Sequence, residues 1–339
     1  FPAWETLPHE RLSPSPDIVG QRLQTLRRIA EWSGDHPLVV VASVRAALQP
    51  IAGNLGEIAP LELAAGSRGH ELDRVVEQLV ERAYSRVDMV SRRGEFAVRG
   101  GILDLFPAGE ETGLRVDFFG DEIESIRRFD PSDQRSLGPA KALQLLPAAE
   151  TLLDEATIKR FRSSYREIFG AQATGDPLYQ AVSEGRRQAG MDHWLPLFEE
   201  KLATLFDHID PATPVLRGHR TDATADTRFS AITDYHANRI AAAQDAAGSY
   251  RPLKPEALYL TEAEWTGAAA ARPIHIVTPF DVPPAPTVVD LETFAARDFT
   301  PERTADLNVY DKVADHLSDE RRKGRRTIIA SYSGGARER

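Results

Sequence analysis

The sequence predicts an α/β protein, with two large α/β regions and a small α+β domain between them. Three features dictate it. Residues 38–48 read as an apolar strand, a serine cap and a short helix, which is the unit of a parallel sheet. Residues 61–147 read as one amphipathic helix followed by a meander of alternating strands. Beyond residue 148, short strands again alternate with helical stretches. The 339 residues suffice for two or three domains, and 42% hydrophobic with 27% charged residues is the balance of folded cores rather than disorder.

In chain order, Asp17 can cap a helix whose apolar positions Ile18, Leu23, Leu26 and Ile29 share a face. Gly34, Asp35 and Pro37 end it, and Leu38–Ala42 has the continuous apolar character of a strand buried on both sides. Ser43 stands at the N-cap of a helix over 44–48. Residues 70–83 place Leu72, Val75, Val76, Leu79, Val80 and Ala83 on one helical face. Strands follow at 86–90, 95–98, 101–106, 114–119 and 122–129. Gly120-Asp121 supplies the two-residue turn between the last two, with positive φ expected at the glycine. A helix over 154–169 turns Ile158, Phe161, Tyr165 and Ile168 inward. The remainder predicts strands at 214–216, 257–260, 274–277 and 327–330, helices over 227–247 and 306–320, and an extended Pro-rich connection at 282–286.

Several function classes are excluded or disfavoured. There is no cysteine, so disulfides, thiolate metal sites and cysteine nucleophiles are absent. The nine His residues show no metal-ligand spacing, and no metal is expected. No Gly-rich phosphate loop ending in Gly-Lys-Ser/Thr is present, and Asp121-Glu122 and Asp154-Glu155 fit turns and caps rather than a motor's acidic pair. Ser331 and Ser333, after the predicted last strand, fit a helix cap better than a nucleophile. No apolar run approaches the ~20 residues of a membrane span. With 41 basic against 51 acidic residues the net charge is −10, unlike a dedicated nucleic-acid binder.

The informative element is the strand 114–119. Period two sends Leu114, Val116 and Phe118 to one face and Arg115, Asp117 and Phe119 to the other. If the first packs on the helix, the second presents an Arg beside an aromatic, the residue types enriched at protein-binding hot spots. Arg99, before Gly100-Gly101, can join them from the neighbouring strand. The same pattern also fits a second covered face, or a solvated strand with one chance aromatic.

These residues carry a family resemblance. The segments 95–107 (EFAVRGGILDLFP) and 114–123 (LRVDFFGDEI) resemble stretches shared by the excision-repair protein UvrB and the transcription-repair coupling factors. The segments 129–136 (FDPSDQRS), 190–198 (GMDHWLPLF) and the opening WETLP with Ser13-Pro14 resemble the coupling factors in particular. The resemblance implies the N-terminal UvrB-like module of that family: two large UvrB-like domains of degenerate RecA/helicase-like α/β fold with a small inserted α+β domain. Residues 1–60 would form the first, truncated at its N-terminus. Residues 61–147 would be the small UvrA-binding domain, and 148–339 the second large domain, truncated at its C-terminus. The opening at Phe1 and the close at Arg339 fit an internal fragment.

By the same resemblance the family protein is a bacterial, cytoplasmic, ATP-dependent DNA translocase that removes stalled RNA polymerase from lesions and recruits UvrA in nucleotide excision repair. Its ATP and Mg belong to motor domains not expected here, as do its contacts with RNA polymerase and DNA. The fragment is therefore expected to be a protein-interaction module, not an enzyme, with neither catalytic residues nor cofactor. Its UvrA-binding positions would be Arg99, Arg115 and Phe119, with Asp117 beside them, masked in the family by the C-terminal domain of the same protein. The alternative is a UvrB-like damaged-DNA-binding fragment. That reading needs an aromatic-rich hairpin, which the residues before Leu61 lack, and residues 61–147 carry 12 basic against 16 acidic side chains.

Overall fold

The computed structural model describes residues 1–170, 174–245, 250–293 and 296–330. A break in packing after Thr278 divides the chain into two bodies, Phe1–Thr278 and Pro279–Arg339. The fold is mixed α/β, as the sequence predicts. Helix α1 (Pro16–Ala30) begins at a Ser15 cap with Pro16 in its first turn, not at Asp17. Proline's fixed φ and missing N–H suit that position, which leaves Asp17 inside the first turn beside the positive helix end. Ser43 caps α2 (Val44–Ala47) as expected. Residues 38–42 are not a buried strand: Val39 is 80% and Val41 75% exposed. No strand among the described residues pairs with them, and an apolar run without a neighbour has nothing to bury against.

β1 (Ile51–Ala52) precedes β2 (Leu61–Ala64), where the sheet-rich part of the chain begins. Helix α3 (Leu72–Glu81) is followed by β3 (Ser85–Arg86), β4 (Glu95–Arg99), β5 (Ile102–Phe106), β6 (Gly113–Phe119), β7 (Glu122–Phe129), β8 (Ser136–Ala140) and β9 (Ala142–Leu145). Strands β3 to β8 form one six-stranded sheet in chain order, antiparallel except for the short β3–β4 pair. β2 pairs with β9, Leu61 opposite Leu145. One sheet face lays Phe96, Leu103, Leu105, Leu114, Val116, Ile123 and Ile126 against Val75 and Leu79 of α3. Two departures from the sequence reading concern edges. Val80 is exposed, since the apolar stripe of α3 is wider than its contact. Strand β3 is short because the chain leaves the ladder after Val87, whose N–H still bonds to the Phe96 carbonyl, and Val87 and Val90 pack on the sheet's other face.

The next core is helical. Asp154 caps α4 (Glu155–Phe169) in a capping box with Thr157. Phe161 and Tyr165 are buried against Tyr179 and Val182 of α5 (Pro177–Ser183) and against the turn 191–198, although Ile168 points to solvent. That WLPLF segment is a distorted 3₁₀ stretch with Trp194, Leu195, Leu197 and Phe198 buried. β10 (Leu202–Ala203) pairs with β1, and β11 (Val215–Gly218) leads into α6 (Thr221–Asp245). Where a strand is expected at 257–260, a helical turn forms instead: α7 (Pro255–Leu258), closed by Tyr259 N–H donating to the Pro255 carbonyl. Pro255 at the first position favours that turn. Helix α8 (Glu262–Ala270) and β12 (Ile274–Val277), parallel to β11, complete the first body.

An arginine pinned on a carboxylate ties α1 to the far end of the sheet-rich segment. Arg22 and Glu150 are buried, and Nε of Arg22 donates to Oε1 of Glu150, which also accepts from Trp4 Nε1 at 3.0 Å. The second body holds α9 (Thr300–Thr304) and α10 (Val309–Arg322). The Pro-rich connection at 282–286 is exposed and irregular, as expected. The predicted strand at 327–330 does not form: these residues are irregular, exposed and unpaired among the described residues, and Ser331 and Ser333 lie outside them.

Candidate protein-binding face

Two tight turns aim the candidate side chains. Arg99 pairs with Ile102 across Gly100-Gly101, and Phe119 pairs with Glu122 across Gly120-Asp121. Gly100 and Gly120 both hold positive φ, +60° and +63°, which glycine adopts without steric cost. A Cβ on Gly101 would lie 2.8 Å from the Phe118 carbonyl oxygen, so the first turn also needs a bare backbone. With these turns the register is fixed. Ala97, Asp104, Arg115 and Arg127 form one cross-strand row, and Ile102, Asp117 and Ser125 the next, with Arg99 beside Ile102.

The faces of β6 divide as the alternation requires. Leu114 and Val116 are buried, and Phe118 packs on the same core. Arg115, Asp117 and Phe119 lie on the opposite, outer face. That face is half covered: Val87 and Val90 from the β3–β4 connection pack on Ala97, Phe106 and Phe129. The end near the two turns is open. There Phe119 is 78% exposed, Ile102 is partly exposed, and Arg99 reaches solvent while donating to the Asp88 carbonyl at 2.6 Å.

Arg115 is not the free cation that the strand pattern suggests. Its Nε and Nη2 donate to the two Asp104 oxygens at 2.6 and 2.9 Å, a bidentate pair. The Asp104 side chain is 9% exposed and that of Arg115 26%, and the guanidinium lies 5.2 Å from the Phe129 ring centroid. The hydrogen bonds to Asp104 raise the Arg115 pKa above its usual value. Asp117 is likewise engaged, accepting from Ser125 Oγ at 2.5 Å and Arg127 Nη2 at 2.9 Å. The open end therefore offers one apolar anchor, Phe119, beside Arg99 and a rigid ladder of neutralised charges. Asp104, Ser125 and Arg127 escape a strand-by-strand reading. Counting register through the Gly100-Gly101 turn would have placed Asp104 opposite Arg115. Among the described residues, no cluster of His, Asp and Glu could hold a metal ion, and no helix is long and apolar enough to cross a membrane.

Comparison with known proteins falls on this same region. Residues 61–150 match the family described as the UvrB interaction domain. The transcription-repair-coupling factor of Mycobacterium tuberculosis is 45% identical over 227 residues, covering 64% of this chain and 18% of that protein. Its Escherichia coli counterpart is 39% identical over 231 residues, 68% of this chain and 20% of that protein. The Rickettsia bellii protein is 29% identical over 337 residues, 98% of this chain and 28% of that protein. The chain thus spans between about a fifth and about a quarter of the length of these relatives. The similarity is not confined to the β4–β7 motifs but runs along most of the chain: it is a relative of the transcription-repair-coupling factors, with residues 61–150 matching the UvrB interaction domain.

Proposed function

We propose that this chain is a recruitment module of transcription-coupled nucleotide excision repair and that the open end of the outer sheet face binds UvrA. The observation that carries this reading is Phe119, a large aromatic left in solvent at the end of the UvrB interaction domain's sheet, beside Arg99. An exposed aromatic next to an arginine is costly to leave bare and productive to desolvate, which is the chemistry of a hot spot. Arg115 and Asp117 contribute by holding the surface flat and neutralised through Asp104 and Arg127. On this reading residues 1–60 and 148–339 are UvrB-like domains around the 61–147 insertion. The module acts in the cytoplasm, binds no cofactor and hydrolyses no ATP. Contacts with RNA polymerase and DNA belong to other parts of a longer protein, whose C-terminal domain masks the UvrA face.

Titration calorimetry against UvrA tests the proposal. Phe119→Ala with Arg99→Ala should weaken binding by about 30-fold or more, the loss expected for hot-spot truncation. Both side chains face solvent, so stability should move by no more than about 0.5 kcal/mol. Undiminished affinity in the double variant sinks the site. Tight DNA binding that survives moderate salt would favour the UvrB-like DNA-binding alternative instead.

A further inference from the structure

Strand β4 ends in an unpaired edge, and a cavity opens beside it. The backbone groups of a strand alternate sides, so residues two apart address the same neighbour. The Phe96 carbonyl faces β3 and accepts from the Val87 N–H at 2.9 Å. The Val98 amide and carbonyl, two residues on, face that same side. No strand meets them there: the β3–β4 ladder stops at Arg86 opposite Phe96, and Val87 is the last residue whose backbone N–H bonds across. Past that point the edge borders a cavity of about 500 Å³, lined by Arg86, Val87, Asp88, Val98 and Arg99.

Two cations flank this edge on opposite faces of the sheet. Arg86 is paired with Phe96 and shares its inner face, whereas Arg99 alternates to the outer face. Both are exposed, and neither guanidinium has a carboxylate partner among the described residues; Arg99 donates to the Asp88 carbonyl instead. Asp88 is the single acidic residue of the lining, so the cavity as a whole is positive. These features select an occupant. A bare strand edge needs an acceptor for its N–H and a donor for its carbonyl, and an extended peptide supplies both. A phosphate backbone offers acceptor oxygens alone and would leave the Val98 carbonyl unserved. The two guanidinium groups call for carboxylates. Successive residues of an added strand point to opposite faces, so two acidic residues in a row would meet Arg86 on one face and Arg99 on the other.

We propose that the β4 edge at Val98 docks a short extended segment of UvrA carrying two adjacent acidic residues, which adds to the sheet and pairs with Arg86 and Arg99. The inference rests on the UvrA reading of the outer face, to which Arg99 already belongs. It carries that face around the sheet edge to Arg86 and states the chemistry that the partner brings.

The test combines hydrogen–deuterium exchange, resolved to single amides, with titration calorimetry on the 339-residue protein and UvrA. The Val98 amide should exchange fast in the protein alone and about tenfold or more slower in the complex, whereas Ala97, whose amide faces β5, should change little. Arg86→Glu reverses a charge at an exposed position and should weaken UvrA binding about tenfold with the melting temperature unchanged. Unchanged exchange at Val98, or undiminished affinity in Arg86→Glu, overturns the proposal. The UvrA face survives either result provided Phe119→Ala still weakens binding. A parent protein that does not bind UvrA ends both readings. Slowing of Val98 with protein concentration alone, in the absence of UvrA, would assign the edge to a second copy of this chain and overturn the proposal as well.

Discussion

Replacing Arg115 with Ala should damage the fold before it damages any surface. The Asp104 carboxylate is nearly buried and receives both of its strong donors from Arg115. Removing one partner of a buried pair costs about 3–5 kcal/mol, chiefly because the other charge is left without compensation. Here the guanidinium is a quarter exposed, and water can reach the space it leaves, so the cost falls to roughly 2–3 kcal/mol. In a body of this size that corresponds to a fall in melting temperature of about 3–5 °C. Differential scanning calorimetry reads it directly, and a double-mutant cycle assigns the cause. Asp104→Ala combined with Arg115→Ala should lose less stability than Arg115→Ala alone, since no orphaned carboxylate remains. A melt of Arg115→Ala within about 0.5 kcal/mol of the parent would refute the reasoning, and the pair would then be no more than an exposed ion pair. The practical consequence is that a binding assay on an Arg115 variant measures folding as well as recognition, whereas Arg99 and Phe119 report on recognition alone.

Further outcomes follow from the same packing. Val116→Asp places a charge among Leu103, Leu114 and Ile126 with no partner, and the sheet's cooperative unfolding transition should vanish from a urea titration. Gly113→Ala should disturb the covered half of the outer face, because its Cβ would lie 2.5 Å from the Phe129 ring; a fall in near-ultraviolet ellipticity checks it. Acid should weaken the first body. Burial, with His236, His193 and Arg239 nearby, lowers the His9 pKa to about 3. Burial likewise lowers that of His193 to about 4, opposed by the nearby Leu12 backbone and by Glu10. Both imidazoles are neutral in the fold, so the unfolded chain takes up protons first. Their contribution is complete above about pH 6.5 and is lost progressively toward pH 3–4, with urea midpoints at pH 7, 5 and 4 as the measure.

The antiparallel core was legible because its signals are local. Alternation along Leu114–Phe119, the glycines at 100 and 120, and the stripe Leu72–Leu79 each act over a few residues. What stayed hidden depends on partners distant in sequence. Nothing within Val39–Val41 distinguishes a buried strand from a bare one, because burial is decided by whether another strand pairs with it. Leu258, Tyr259 and Leu260 have strand-like composition, and only the turn closed at Pro255 shows that they are buried as a helical end. At the candidate site, exposure of Phe119 follows from strand parity. The engagement of Arg115 needs the register across β5, and a bulge at Asp117/Phe118 shifts the β7 partners by one.

The β2–β9 ladder has a consequence beyond its four residue pairs. Leu61 stands opposite Leu145, so the polypeptide enters and leaves the sheet-bearing segment at neighbouring points. Partners in an antiparallel ladder sit about 5 Å apart at the Cα, a gap that one or two residues can bridge. Excising the segment and rejoining the flanks with a short glycine bridge would therefore impose little closure entropy on the remainder. The excised piece, with its ends already side by side, has the geometry of a cassette that can be carried into another host or circularised. The costs of such surgery fall on Ala148, whose N–H bonds to the Arg82 carbonyl, and on Glu150, whose carboxylate holds Arg22 and Trp4. The portable boundary consequently lies before those residues, at the ladder itself.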